Sequence, residues 1–296
     1  MKKYYRFSWL LLLIGLILVA VGYFHDGFQP LAGDMHSSKV YVLDNHREVQ
    51  QYKVAPFKKI RVDLQDNADN VQIKSGSKYQ VKVINGQKNH LIKTYVNNKQ
   101  ELVVQDQGRY FYYVSVGLKS PQIQITVPRD QVLQSVQGNL QDGQLSLTDL
   151  QTQRLVLRAD NSRINLQQLQ VLQADSDFHL SDSQLHMQNS NLKKAKLNVD
   201  DSHLQFNNSQ LQLHGRLSDS VCRLKQVKLL GTSKIQMKDS KFRLAQMTLP
   251  LNYQFKLKDT SIRQKGRRLR HNPYAKQIQV QPCLVVRSDD SFISMY

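Results

Sequence analysis

From about residue 143 to residue 244 the polar and apolar positions fall into one repeated phrase, a small residue followed by apolar-x-apolar. It appears as Gly143-Gln-Leu145-Ser-Leu147, Ser162-Arg-Ile164-Asn-Leu166, Ser183-Gln-Leu185-His-Met187, Ser202-His-Leu204-Gln-Phe206, Ser220-Val-Cys222-Arg-Leu224 and Ser240-Lys-Phe242-Arg-Leu244. Three further copies start at Ser176, Ser209 and Ser233. The main series steps by 19, 21, 19, 18 and 20 residues, a period that marks a stacked repeat. Alternation of apolar and polar residues means short strands with one face inward, because successive strand side chains point to opposite faces. Intervening pairs such as Leu155-x-Leu157, Leu197-x-Val199 and Val227-x-Leu229 imply that each coil folds back two or three times. The expected fold is all-β, a β-solenoid (β-helix) of rungs of about 20 residues. No rung buries its apolar face alone, so neighbours must stack.

Asp or Asn stands before the small residue in Asp142-Gly143, Asn161-Ser162, Asp175-Ser176, Asp182-Ser183, Asp201-Ser202, Asp219-Ser220 and Asp239-Ser240. These residue types tolerate left-handed backbone angles, so they read as tight corners. A stacked acidic row could also be a calcium ladder, but the glycine-rich nonapeptide of calcium-binding β-rolls is missing, and corner chemistry is preferred.

The chain begins with Lys2, Lys3 and Arg6, followed by an apolar run from Trp9 to Phe24 that His25-Asp26 ends. Its sixteen residues span only about 24 Å, and Tyr4, Tyr5, Trp9, Tyr23 and Phe24 occupy interfacial positions. The expectation is an uncleaved membrane anchor with a cytoplasmic N-terminus and an extracytoplasmic remainder. A removed signal peptide is the rival, with Ala20-Val21-Gly22 as its cleavage site. Residues 26–56 read as a stalk with at most one strand, Val40-Tyr-Val-Leu43. Residues 57–137 read as an N-terminal block of antiparallel character leading into the solenoid. Its strands are Ile60–Leu64, Val71–Ile73, Tyr79–Val83, Leu102–Val104, Phe111–Val114 and Ile123–Val127. Repeats occupy 138–245, and 246–296 carries a basic loop and strands, Ile278-Gln-Val280 and Cys283-Leu-Val-Val286, expected to cap the open end.

The run Phe57-Lys-Lys-Ile-Arg-Val-Asp63, then Ala68-Asp-Asn-Val-Gln-Ile-Lys-Ser-Gly76, Tyr79-Gln-Val-Lys-Val83 and Ile123-Gln-Ile-Thr-Val-Pro128, with the rungs that follow, resembles the putative-adhesin β-strand-repeat family of bacterial surface proteins. The layout is similar to its membrane-anchored branch associated with Gram-positive envelope stress. The resemblance implies a β-solenoid of unknown biochemical activity and brings no catalytic residues with it.

Composition adds one strong number, a formal charge of +18, with 41 Lys and Arg against 23 Asp and Glu. Such a surplus implies an anionic neighbour. The densest stretch runs from Lys256 to Lys276 and centres on Lys265-Gly-Arg-Arg-Leu-Arg-His271; it reads as an exposed loop, with Lys265, Arg267, Arg268, Arg270 and Lys276 as candidate anion-binding residues. Outward amides such as Gln144, Gln184 and Gln205 could form ladders along the coil or meet sugar hydroxyls. His179, His186, His203 and His214 are read as solvated rather than metal-binding. Cys222 takes an inward slot, and two free thiols are preferred over a bridge to Cys283.

These features favour a non-catalytic, membrane-anchored protein of the cell envelope, with no cofactor or metal, that binds anionic wall polymers or an envelope partner. A polysaccharide-active β-helix enzyme is the alternative and requires convergent carboxylates with a basic residue on one outward face. A nucleic-acid-binding protein is the second alternative. It needs aromatic residues interleaved with basic ones, which the sequence lacks.

Overall fold

The computed structural model describes residues 2–25, 31–34, 39–42, 49–64, 70–84, 92–106, 110–114, 121–173, 175–247, 252–264, 267–269, 274–276 and 283–296. Each central rung is three strands joined by three corners. Strands such as Leu155–Asp160, Ser176–Ser181 and Ala195–Asp200 stack as a first face; Arg163–Gln167, Gln184–Gln188 and His203–Asn207 stack as a second. Two-residue strands such as Gln170–Val171 and Asn191–Leu192 form a short third face. Stacking is parallel, and Leu145, Ile164, Leu185, Leu204, Cys222 and Phe242 lie in one register column. That is the register the 18-to-21-residue period predicts. All 18 apolar positions of the nine phrases are buried, none more than 4 % exposed. The core is therefore one narrow column, in which Phe178, Phe206, Phe242 and Phe255 are fully enclosed.

Two corners of each rung are fixed by left-handed residues. Asp142, Asn161, Asp182, Asp201, Asp219 and Asp239 have φ between 44° and 56°, and seven residues later Asp149, Gln168, Asn189, Asn208, Gln226 and Gln246 repeat the turn with φ between 45° and 54°. Asp and Asn are the least strained L residues in that region and hold every first corner, while Gln168, Gln226 and Gln246 take three of the second. Since the spacing between these corners never changes, all variation in repeat length falls at the third corner, as in the longer connection from Val171 to Ser176.

The small residue after the first corner does more than permit a turn. Ser162, Ser183, Ser202, Ser220 and Ser240 are buried, and each Oγ accepts the backbone N–H of its counterpart one rung away at 2.9–3.1 Å. Each hydroxyl also donates to the carbonyl two residues earlier, as Ser202 does to Asp200 at 2.6 Å. Ser190 and Ser209 repeat the device at the second corner. Corners turn backbone groups out of the sheet ladder, and a buried N–H left unpaired is costly. Serine supplies the missing acceptor from the next rung.

Both ends depart from chain order. The N-terminal block is built of rungs, correcting the antiparallel expectation. Lys59–Leu64 pairs in parallel with both Ser135–Gln141 and Glu101–Asp106, and Asn70–Gly76 with both Gln144–Thr148 and Gln122–Pro128. The earlier rung thus lies between the later one and the central repeats. On the two large faces the antiparallel strands Ile92–Val96, Gln80–Ile84 and Val49–Tyr52 lie beyond it, and Tyr110–Val114 pairs antiparallel with Leu31–Asp34 in a separate small sheet. At the other end Cys283–Asp289 and Phe292–Met295 do not cap the coil. They insert between Thr232–Lys238 and Asn252–Lys258 on the first face, and between Lys241–Ala245 and Ser261–Gln264 on the second. The outermost strands are Arg267–Leu269 and Tyr274–Lys276, both antiparallel. Ile278–Val280 lies outside the described residues.

The expected stalk contains more than one strand. Leu31–Asp34 pairs with Val40–Val42 and with Tyr110–Val114, while Val49–Tyr52 joins the second face. The N-terminal helix runs from Lys2 to Phe24, and its Phe7–Phe24 window has a mean hydropathy of 2.4 with no buried residue. Its 23 residues extend about 34 Å at 1.5 Å per residue, longer than the apolar run alone suggested. It is a candidate membrane span or signal sequence.

Candidate functional site: a face without carboxylates

Stacking sorts the outward residues into columns, and the two large faces differ in charge. Among the described residues the second face has thirteen strands, which contain ten Lys or Arg residues and no Asp or Glu. The twelve strands of the first face hold twelve Lys or Arg residues against seven acids. On the second face amides such as Gln124, Gln72 and Gln144 fill the N-terminal half. The cations gather toward the C-terminal end.

There the register aligns Arg223, Arg243, Ser294, Arg263 and Arg268 in one column. Adjacent strands are about 4.8 Å apart, so Arg223 and Arg243 are immediate neighbours. Like charges opposite one another across strands are destabilising, and no carboxylate forms an ion pair with Arg223, Arg243 or Arg263 among the described residues. Arg263 instead lies over the Phe292 ring, 5.9 Å from its centroid. Exposed Lys225 and Lys241 flank the column.

The predicted anion-binding residues distribute around this column. Arg267 and Arg268 lie on the strand Arg267–Leu269, paired with Ser261–Gln264, which corrects the expectation of a loop at these two positions. Arg268 faces Arg263 across that pair. Lys276 ends a strand on the first face, opposite Tyr253. Lys265 and Arg270 lie outside the described residues. The sequence reading missed Arg223, Lys225, Lys241 and Arg243, and left Arg263 inside the basic stretch without making it a candidate; aligning the repeats and noting the lack of acids at their outward positions would have found most of them.

Among the grooves along the coil, two lie over the central repeats. One, of about 220 Å³ on the second face, has Arg163, Gln184, His186, His203, Gln205 and Arg223 among its lining residues. The other, of about 530 Å³, lies on the first face beside the acidic corner, where Arg158, His179, Asp160 and Asp200 meet. The four histidines do not converge. His179 is on the first face, His186 and His203 are on the second, and His214 is half-buried, where burial and then Lys194 and Lys234 hold its imidazole below the usual range. Among the described residues the group with ligand atoms close enough to share a metal ion is Asp259, Asp289 and Asp290, within 4.8 Å of one another. There the Lys258 ammonium already stands 3.1 Å from Asp289.

The corner row is electrostatically loaded. Asp201 is held above the usual carboxylate range by desolvation and by Asp200, Asp182 and Asp219. The outward amides behave more simply than ladders. Gln144 and Gln184 are separated by Arg163 in their column and Gln205 lies beside His186, so these three are not placed to form a ladder, whereas at the corners Asn208 donates to Asn189 at 2.7 Å. Cys222 and Cys283 are both free and buried, and burial pushes both thiols upward.

A solved structure shares this architecture. A protein described as a putative adhesin from Parabacteroides distasonis aligns with 86% of this chain and 98% of its own, at 12% identity and a TM-score of 0.51. Another so described, from Bacteroides fragilis, covers the same shares at 13% identity and a TM-score of 0.47. At 12% identity the likeness to the Parabacteroides distasonis protein is one of fold. No curated protein matches. The family comparison is more direct, since its model spans residues 57–276, across the swapped N-terminal rung, the central repeats and the basic C-terminal strands: the chain belongs to the Toastrack DUF4097 family.

Proposed function

We propose that this is a non-catalytic envelope protein, held in the membrane by its N-terminal helix, that docks its second face onto an anionic polymer outside the cell membrane. Lys2, Lys3 and Arg6 precede the apolar run, and basic flanks stay on the cytoplasmic side, which supports an extracytoplasmic solenoid. The observation that carries the reading is the thirteen-strand face with ten cations and no carboxylate. Aligned arginines repel one another in the free protein and gain an unopposed Coulomb attraction when a polyanion lies along them. A parallel stack presents these charges at regular spacing, which suits a repeating phosphate or carboxylate polymer of the wall better than a compact ligand. Single-stranded nucleic acid is the poorer fit, because its binders interleave stacking aromatics, and the outward columns here are mainly amides, cations and histidines.

The test is co-sedimentation of the full chain, in zwitterionic nanodiscs, with isolated cell walls that retain or lack their anionic polymers. Walls that retain the polymers should bind more than stripped walls, and this increment should weaken as salt rises and fall when Arg223, Arg243 and Arg263 are changed to Ser. Changing Arg267, Arg268 and Arg270 to Ser should weaken it further. Equal binding to stripped walls, or affinity unchanged across the salt series, would refute the reading.

A further inference from the structure

The first-face groove is built on a different plan from the basic face. Asn139, Arg158, His179 and Asn198 occupy one outward column on four successive rungs. Two residues along each strand, Gln141, Asp160, Ser181 and Asp200 form a second column beside the corner. Between them the floor is Leu140, Ala159, Leu180 and Val199, each at most 6 % exposed. At about 4.8 Å per rung the four rungs make a trough roughly 14 Å long. One wall is rich in donors and the other in acceptors.

We propose that this trough binds an uncharged, hydroxyl-rich chain, an oligosaccharide laid along the solenoid axis, without cleaving it. A sugar hydroxyl both accepts and donates, so it is satisfied best between a donor on one side and an acceptor on the other. Arg158 and Asn198 supply the first, and Asp160 and Asp200 the second. These groups are uncommitted: none of the four side chains is ion-paired or hydrogen-bonded to a protein side chain among the described residues. Charged ligands fit less well. Asp160 and Asp200, with Asp182 and Asp201 on the adjoining corner, repel a polyanion, while Arg158 and His179 interrupt the wall that a polycation would need. Asp160 and Asp200 stand two rungs apart, roughly 9.5 Å, both exposed. A glycosidase needs one of its two carboxyls kept protonated by its surroundings, and an open trough provides no such shelter.

The experiment is calorimetric titration of the full chain in zwitterionic nanodiscs with chitohexaose and with cellohexaose, at low and high salt. Saturable binding independent of salt is expected with at least one of them. Arg158→Ala, and separately Asp160→Asn with Asp200→Asn, should weaken it about tenfold or more without lowering the melting temperature. Arg223→Ser with Arg243→Ser should leave it unchanged, which separates this trough from the basic face. Absence of binding to both probes, equal affinity in the trough variants, or preferential binding of oligolysine would overturn the proposal. Release of reducing ends would overturn its non-catalytic part.

Discussion

Replacing Ser202 by alanine isolates the contribution of the serine ladder. Its Oγ accepts the Ser183 N–H at 2.9 Å and donates to the Asp200 carbonyl at 2.6 Å, and Ser202 is fully buried, so water cannot take over either bond. Leaving a buried donor unsatisfied costs about 1–3 kcal/mol, and the lost bond to Asp200 adds about 1 kcal/mol. The variant should therefore lose about 2–4 kcal/mol, comparable to a core truncation although only one oxygen is removed. Two readouts are needed: urea unfolding of the full chain in detergent followed by circular dichroism, and amide hydrogen exchange at Ser183. Exchange there should accelerate at least tenfold, since a local loss of 1.4 kcal/mol already corresponds to that factor. Ser181→Ala is the control, because its hydroxyl meets Asp182 at 3.3 Å on the exposed corner. If the two variants unfold alike, or Ser183 stays protected, the serines are turn residues only and the cross-rung bonds do not hold the stack.

The register can be checked at adjacent positions. Leu204→Asp should abolish the cooperative melt by placing a charge in the core, where Leu204 is 2 % exposed, while exposed His203 should accept Asp with little change. Gly215→Ala should cost about 3 kcal/mol, because φ is +153° and the added Cβ would lie 1.9 Å from the Leu197 carbonyl oxygen; a neutral effect in thermal melting would contradict the backbone path there. Asp201→Asn should raise the melting temperature at neutral pH. The native state holds this carboxyl above its unfolded value, so ionisation costs stability as pH rises through the folded value. Asn161 and Asn208 already take equivalent left-handed corners, so the substitution adds no strain. The gain should vanish below about pH 3, where both forms of the position are neutral.

Much of the coil was legible because its rules are local. Alternation gave the inward set, the step of 18 to 21 residues gave the register, and Asp or Asn before Ser gave the corners. The basic cluster was legible only in part: Arg267 and Arg268 stand out as neighbours in sequence, whereas Arg223, Arg243 and Arg263 are each an ordinary outward residue of a separate repeat. They become one feature when the parallel register places them in a column. The serine side chains were read correctly as small and wrongly as mere punctuation, because their partner is the next rung's backbone.

By itself, then, the sequence determined the apolar helix, the stacked repeat, its register, its core and the first of its two left-handed corners, since each depends on residues within one rung length. Only the tertiary structure decided the order of rungs at the two ends, where 59–76 and 283–295 each insert between rungs far away in the chain. Any rung offers the same unpaired strand edges, so the local pattern does not specify which rung will satisfy them. The charge-sorted faces belong to the same class of result, because a face exists only once the strands have stacked.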